Sequence, residues 1–293
     1  MKKTIISCVL FLTAVTAFSQ TPMKTAAEAK LSASDLAVKI ADRILATTTY
    51  EFKNTKTGKT YKSVKNLPLD MNVKVACKYN NWHYTNGVTH IALMELADKT
   101  GAKKYDDYVL KNMNFVFNEG NLDFFKKQYD QAMKNEGWYG VRKLSWHMIF
   151  RGKRLDDNGP MGASLIDLQM KHPNNSFLNY INETAEHLNY GEPRLADGTI
   201  ARIWPHENTI WADDAFMAIS FLARMAKMTG DMSYINDAAN QVIKYHKYLW
   251  CPEKRILYHC YHTDTDEHGV AHWSRANGWV FMATADLLAV MPQ

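Results

Sequence analysis

The sequence predicts an all-α protein of stacked helical hairpins, on three observations. Apolar residues recur at helical spacing in about nine segments, roughly 32–46, 84–99, 104–118, 123–133, 157–171, 177–190, 211–228, 232–249 and 274–291. No run of alternating strand residues competes with them, apart from short pieces such as Arg255–Tyr258. A weak internal repeat joins ELADKTGAKKYDDYV (Glu95–Val109), DLQMKHPNNSFLNYI (Asp167–Ile181) and RMAKMTGDMSYINDA (Arg224–Ala238). Each ends one helix, turns, and starts another, with Tyr105, Phe177 and Tyr234 at the matching aromatic position. The long intervals between repeats favour stacked hairpins over a simple bundle and leave room for loops that build a cleft.

Taken in order, residues 1–19 read as a secretory leader: Lys2 and Lys3, an apolar stretch from Ile5 to Phe18, then small residues Ala17 and Ser19 before a cut at Gln20. The stretch is short of the roughly 20 residues that span a bilayer, and Cys8 lies inside it rather than after it, against lipid attachment. The expectation is an exported protein, periplasmic or extracellular, with no stable membrane anchor. A soft segment follows at Gln20–Leu31, then a helix at Ser32–Ala46. Residues 49–67, rich in Lys, Thr and Gly, read as an exposed connection before the helical train begins. The mature chain, 20–293, is expected to be one domain, and the last helix, ending at AVMPQ, lacks a hairpin partner.

Composition narrows the function. The chain has 293 residues, 46% of them hydrophobic and 22% charged, which supports a substantial core and excludes disorder. The formal charge of +5, two units of it in the leader, is too scattered for a nucleic-acid footprint. Trp 8, Tyr 15 and Phe 12 stand out, many beside Asp, Asn, His or Arg, a mixture that also lines sugar-binding clefts. Cys77, Cys251 and Cys260 form no metal or redox motif; a Cys251–Cys260 disulfide and buried free thiols both fit the spacing.

Four polar–aromatic segments interrupt the helices. NNWHYTNGVTH (Asn80–His90) places Trp82 and Tyr84 at a helix start, where they serve either as a core plug or as a cleft wall. RLDDNGPMG (Arg154–Gly162) carries Asp156 and Asp157, one of which suffices for capping. TIWADDAFMAISFLARMA (Thr209–Ala226) sets Asp213 and Asp214 on the first turn of a core-like helix, where burial and like charge raise a carboxyl pKa and the helix dipole lowers it. An Asp213 facing the 156–157 pair is suited to acid/base work. YHCYHTDTDEHGVAHWSRANGW (Tyr258–Trp279) holds His259, His262, His268 and His272, then Arg275 between Trp273 and Trp279. His262, Asp264, Asp266 and His268 have ligand chemistry but no recognised metal spacing, so no metal is expected. An arginine between aromatic faces presents a fork to an anionic substrate, or knits the helix end to an Asp. GxSxG, phosphate-loop and dinucleotide motifs are missing from the sequence.

Together, RLDDNGPMG, WADDAFMAISFLARMAKMTGD and HWSRANGW resemble the characteristic segments of the unsaturated glucuronyl and rhamnogalacturonyl hydrolases, glycoside hydrolase families 88 and 105, closest to the family 105 branch. The resemblance runs from about residue 32 to the end. It implies an (α/α)6 toroid, in which the helices here would be a C-terminally truncated set. It implies removal of a 4,5-unsaturated uronyl residue from lyase-generated, pectin-like oligosaccharides, without a cofactor. By the same resemblance Asp213 is the general acid/base and Asp156 its partner carboxylate. His259, Trp273 and Arg275 fall on substrate-contacting positions, with Arg275 reading the uronate carboxylate and Trp279 beside it. Trp82 and Tyr84 match an aromatic wall, and Asp157 and Asp214 are supporting members of their pairs. The chain departs from the family at Arg202, where some members carry a pocket histidine that His206 would replace. The alternatives are another toroid enzyme acting on saturated sugars and a noncatalytic carbohydrate-binding protein.

Overall fold

The computed structural model describes residues 32–117, 120–151 and 154–292. The expected leader lies outside them. The chain divides into two units after Arg43. Helix α1 (Ala33–Thr47) begins in the first, where Ser32 and Asp35 cap each other's backbone amides at 3.1 Å.

The larger unit is a train of helical hairpins: α2 (Tyr84–Thr100) with α3 (Lys104–Phe117), α6 (Leu155–Lys171) with α7 (Asn175–Glu186), and α8 (Ala212–Thr229) with α9 (Met232–Leu249). Between the first two pairs lie α4 (Asn121–Val141), which breaks at Gly137, and the short α5 (Met148–Arg151); α10 (Ser274–Leu288) closes the described chain. The three repeat segments are the three hairpin turns. Gly101 and Gly230 end α2 and α8 in the left-handed region, at φ 70° and 76°. Asn174 and Asp231 restart the chain by accepting from Ser176 N and Ser233 N, each at 2.8 Å. Tyr105 and Phe177 are buried in the turns, whereas Tyr234 is half-buried and Ile235 takes its place inside.

Helices α2, α6, α8 and α10 form the inner layer, α6 packing on α2 and α8, and α8 on α10. They run parallel, with their first turns gathered at one end and their last turns lining a cavity at the other. Their close approach explains Gly159 and Gly87. A Cβ on Gly159 would overlap the Met217 carbonyl, and one on Gly87 would overlap the Pro160 backbone, so the first turns of α2 and α6 meet their neighbours backbone to backbone.

Short strands lie where the sequence suggested almost none. β1 (Phe52–Asn54), β2 (Thr60–Tyr61) and β3 (Val73–Val75) form an antiparallel sheet in the order β2-β1-β3. The region read as an exposed connection therefore contributes to the core: Phe52 and Asn54 are buried with Lys53 exposed between them, and Asn54 Oδ1 accepts from Lys56 N and Thr57 N at 3.0 Å. β4 (Thr209–Trp211), β7 (Cys260–His262) and β8 (Glu267–His268) make a second sheet, and β5 (Trp250–Cys251) pairs with β6 (Ile256–Leu257). Cys77, Cys251 and Cys260 are free thiols. Among the described residues no helix is long and apolar enough to cross a membrane.

Candidate active site

Sequence places an Asp pair on the first turn of α6 and another on that of α8, and neither pair caps its helix. The N-cap residues are Arg154 and Trp211, whose side chains make no capping bond. The carboxylates reach arginines instead. Arg202 donates from Nε to Asp214 Oδ2 at 2.8 Å and from Nη2 to Asp214 Oδ1 at 2.7 Å, and Nη2 also reaches Asp156 Oδ1 at 3.1 Å. Asp157 is likewise buried against an arginine, Arg151, whose Nε and Nη2 both reach its Oδ2. Each pair thus splits into one enclosed member and one more open: Asp157, 4% exposed, beside Asp156, and Asp214 beside Asp213 at 14%. The Asp214 side chain is 2% exposed, while that of Asp156 is 34% exposed.

Burial pushes the Asp157 and Asp214 carboxyls up to about 6, against the pull of Arg151 on one and Arg202 on the other. Burial works against the charge on Arg202, but Asp214, then Asp156 and Asp213, outweigh it and hold the guanidinium protonated. Its plane lies over the Trp211 ring, 4.2 Å from the centroid.

Trp211 leads on to the other carboxylate. Strand β4 pairs with β7 so that Trp211 faces Cys260, and Ala212 N donates to the His259 carbonyl at 2.9 Å. This register brings His259 Nε2 to 3.0 Å from Asp213 Oδ2. The His259 ring stands 5.1 Å from that of Trp211 and 5.2 Å from that of Trp273, and Arg275 lies 4.4 Å from the Trp273 ring centroid. Arg275 is exposed and pairs with no carboxylate among the described residues. A continuous chain of contacts therefore links Asp156, Arg202, Trp211, His259, Asp213, Trp273 and Arg275, and Tyr84 approaches Trp279 edge-on at 6.4 Å.

Two expected substrate residues stand elsewhere. Trp82 is fully buried among Phe117, Trp146 and Tyr180, and its indole N–H donates to the Asp157 carbonyl at 2.8 Å; it braces the α6 turn and offers no wall to a ligand. His206 does not replace a pocket histidine, since its ring turns to His262 and Asp264. Trp279 is half-buried and stacks on Phe216 with ring centroids 4.9 Å apart.

Arg154, Glu192 and Trp204 join Asp156, Arg202 and Asp214 around a cavity of ≈ 120 Å³, and sequence reasoning missed all three. Arg154 lies over the Trp204 ring at 5.1 Å, a second exposed arginine–tryptophan pair facing the site. Glu192 accepts from, or shares a proton with, His187 Nε2 at 2.8 Å, and its carboxyl is pushed up to about 8 by burial first and by Asp214 second. A larger cavity, ≈ 340 Å³, lies at the opposite ends of the inner helices around Arg224, which is already paired with Asp167 and Asp286 at 2.7 and 2.6 Å. Arg224 is satisfied there and no aromatic ring lines that cavity; the smaller one borders the Asp156–Arg202–Asp214 end of the chain of contacts, with Asp213, His259, Trp273 and Arg275 further along it.

The family model for Glycosyl Hydrolase Family 88 matches residues 56–293. The chain belongs to that family. Among curated relatives it is similar to the unsaturated rhamnogalacturonyl hydrolase YesR of Bacillus subtilis (strain 168), 25% identical over 178 residues that cover 55% of this chain and 49% of the relative. It is also similar to an unsaturated 3S-rhamnoglycuronyl hydrolase of Alteromonas sp. (strain LOR), 29% identical over 86 residues covering 28% and 21%. The chain thus spans at most about half of the length of these relatives. Among solved structures, a family 105 glycoside hydrolase from C. acetobutylicum ATCC 824 superposes with a TM-score of 0.59 at 22% identity, covering 89% of this chain and 60% of that one. The α-1,6-mannanase GH76A of Salegentibacter sp. HEL1_6 gives 0.52 at 13% identity, covering 89% and 65%. The fold of this family 88 member is that of the six-hairpin toroids.

Proposed function

We propose that this chain carries the active site of a glycoside hydrolase that removes a 4,5-unsaturated uronyl residue from the nonreducing end of lyase-generated oligosaccharides. The observation that carries the reading is the placement of Asp213. Its side chain, 14% exposed, shares a hydrogen bond with His259 between two tryptophans, one of which presents an exposed guanidinium. That arrangement suits a planar, anionic ring: Trp273 supplies a flat face, Arg275 a two-pronged partner for the C5 carboxylate, and Asp213 a proton at the ring edge.

In the reaction, the Asp213 carboxylic acid gives its proton to C4, and the C4=C5 electron pair forms the new C–H bond. Positive charge develops at C5 and is shared with the ring oxygen. Water bonds to C5 and returns a proton to the Asp213 carboxylate, which restores the acid. The resulting hemiketal opens, and the C1 hemiacetal expels the aglycone. Asp156, held at 3.1 Å from Arg202 and open to the cleft, supplies negative charge beside the developing cation. His259 holds Asp213 in place and exchanges its proton.

The experiment follows the near-ultraviolet absorbance of the conjugated C4=C5 bond in a 4,5-unsaturated uronyl disaccharide. Absorbance should fall with the wild-type protein, and Asp213→Asn should lose about 10²–10⁴-fold or more of that rate, the range for lost acid–base catalysis. Wild-type turnover that survives in Asp213→Asn would remove Asp213 from the role.

A further inference from the structure

The loop that carries Arg202 holds, on its other side, a cluster that the reaction does not use. His206, His262 and Asp264 bring one ligand atom each to within 4.8 Å of one another. His206 Nε2 lies 3.7 Å from Asp264 Oδ2, and the two imidazole rings stand at 89° with centroids 5.3 Å apart. The residues come from two segments, the loop before β4 and the end of β7 with the turn that follows it. Backbone pairing holds these segments together, with Thr209 opposite His262, and so do two hydroxyls: Thr209 Oγ1 donates to the His206 carbonyl and Thr263 Oγ1 to the Asn208 carbonyl, both at 2.9 Å.

The same contacts fix the tautomers. His206 Nδ1 sits 3.1 Å from the Glu207 carbonyl, which only accepts, so this nitrogen carries the proton and Nε2 keeps its lone pair. His262 Nδ1 lies 3.5 Å from Thr209 Oγ1, whose own proton is engaged by the His206 carbonyl, so Nδ1–H donates there and His262 Nε2, 4.0 Å from the Cys260 Sγ, is the acceptor. An imidazole whose Nδ1–H is held by an oxygen and whose Nε2 keeps its lone pair is the form that ligates a metal. Two such nitrogens and one carboxylate make a donor set suited to zinc and its neighbours rather than to magnesium or calcium, which take oxygen ligands.

We propose that His206, His262 and Asp264 bind a zinc-class divalent ion, with a fourth position open to water. Tetrahedral bonds of about 2.0–2.1 Å set ligand atoms ~3.4 Å apart. The His206–Asp264 pair is already near that separation at 3.7 Å, and both side chains are about half exposed, at 53% and 46%, so they are free to close the remaining gap. The ion would cross-link the segment that delivers Arg202, bridged to Thr209, to the strand that delivers His259. It would stiffen the rim of the cleft without entering it.

Zinc chloride titrated calorimetrically into the EDTA-stripped 293-residue protein at pH 7.5 tests this. The expected result is saturable 1:1 binding, weakened at least tenfold by His206→Ala and by His262→Ala. His268→Ala should match wild type, because its ring is engaged with the Tyr248 carbonyl and the Tyr258 face outside the cluster. Variants are compared only where circular dichroism matches wild type. Independently of any variant, Co²⁺ loaded into wild-type protein should show the intense visible bands of a four-coordinate N/O site. Failure to saturate at 1:1, equal loss in His268→Ala, equal affinity for Mg²⁺, or a six-coordinate aqua spectrum for Co²⁺ would each overturn the site. None of these readouts depends on substrate turnover, so they stand apart from the proposed hydrolase.

Discussion

Arg202→Met keeps the length of the side chain and its cover over Trp211 but removes the cation that holds Asp214. Two charge-assisted bonds, at 2.8 and 2.7 Å, are lost to a carboxylate that is 2% exposed. At ~1.5–3 kcal/mol each they sum to ~3–6 kcal/mol, which brackets the ~3–5 kcal/mol typical when one partner of a buried pair is deleted. The cost depends on pH. With Arg202 present, burial raises the folded carboxyl to about 6 from an unfolded value of 3.8, so the native state holds a proton that the unfolded chain releases. Stability therefore falls as pH rises through that window. Without Arg202 the folded value moves higher, and the fall continues to higher pH at ~1.4 kcal/mol for each added unit. Urea unfolding at pH 5, 6, 7 and 8 should show a destabilisation that is small at pH 5, where Asp214 is neutral in the variant, and largest at pH 8. The double variant Arg202→Met/Asp214→Asn should recover most of it at pH 8. A destabilisation that is flat in pH, or a double variant no better than the single one, would refute the buried-charge argument.

Three further outcomes follow from the site and its frame. Glu192, raised from 4.5 to about 8, is another carboxyl whose native proton is lost as pH rises, so Glu192→Gln should flatten the decline in thermal midpoint between about pH 5 and pH 8. Gly159→Ala sets a methyl group against the Met217 carbonyl and should cost about 1–3 kcal/mol by overpacking, read by chemical denaturation, whereas Ala at Gly278, which has open space around it, should be neutral or slightly stabilising. Arg275→Ala should raise KM for an unsaturated uronyl disaccharide more than tenfold, the equivalent of a charge-assisted bond of ~1.5–3 kcal/mol, and should leave the thermal midpoint unchanged because the side chain is exposed.

Periodicity exposed the helices and the hairpin turns, because long amphipathic segments repeat one rule many times. It missed the strands because they are two or three residues long, too short for alternation to register, and because Phe52 is set among lysines and threonines. Within the site, resemblance pointed to Asp213, Asp156, His259, Trp273 and Arg275, and the structure links all of them through contacts. What sequence does not carry is which way a side chain turns. Trp82 and Trp211 look alike as aromatic residues at helix starts, yet Trp82 points inward because the Asp157 carbonyl accepts its N–H there. Arg202 was visible as a departure from the family, but its partner Asp214 is a tertiary fact, and the pair replaces the capping role expected for these acids. Glu192 and Trp204 carry no motif and join the cavity only through the fold, as does Arg154, which opens RLDDNGPMG without a role of its own in the sequence.

The measurement closest to the central claim is the destination of water oxygen. Wild-type protein would turn over a 4,5-unsaturated uronyl disaccharide in ¹⁸O-enriched water, with borohydride added in the first moments of reaction to trap both carbonyls before they exchange. Hydration of the double bond, started by the Asp213 proton, places the label at C5 of the released uronate, and C1 keeps the former ring oxygen. Label at C1 with none at C5 would mean displacement at the anomeric carbon, and the role assigned to Asp213 would be wrong.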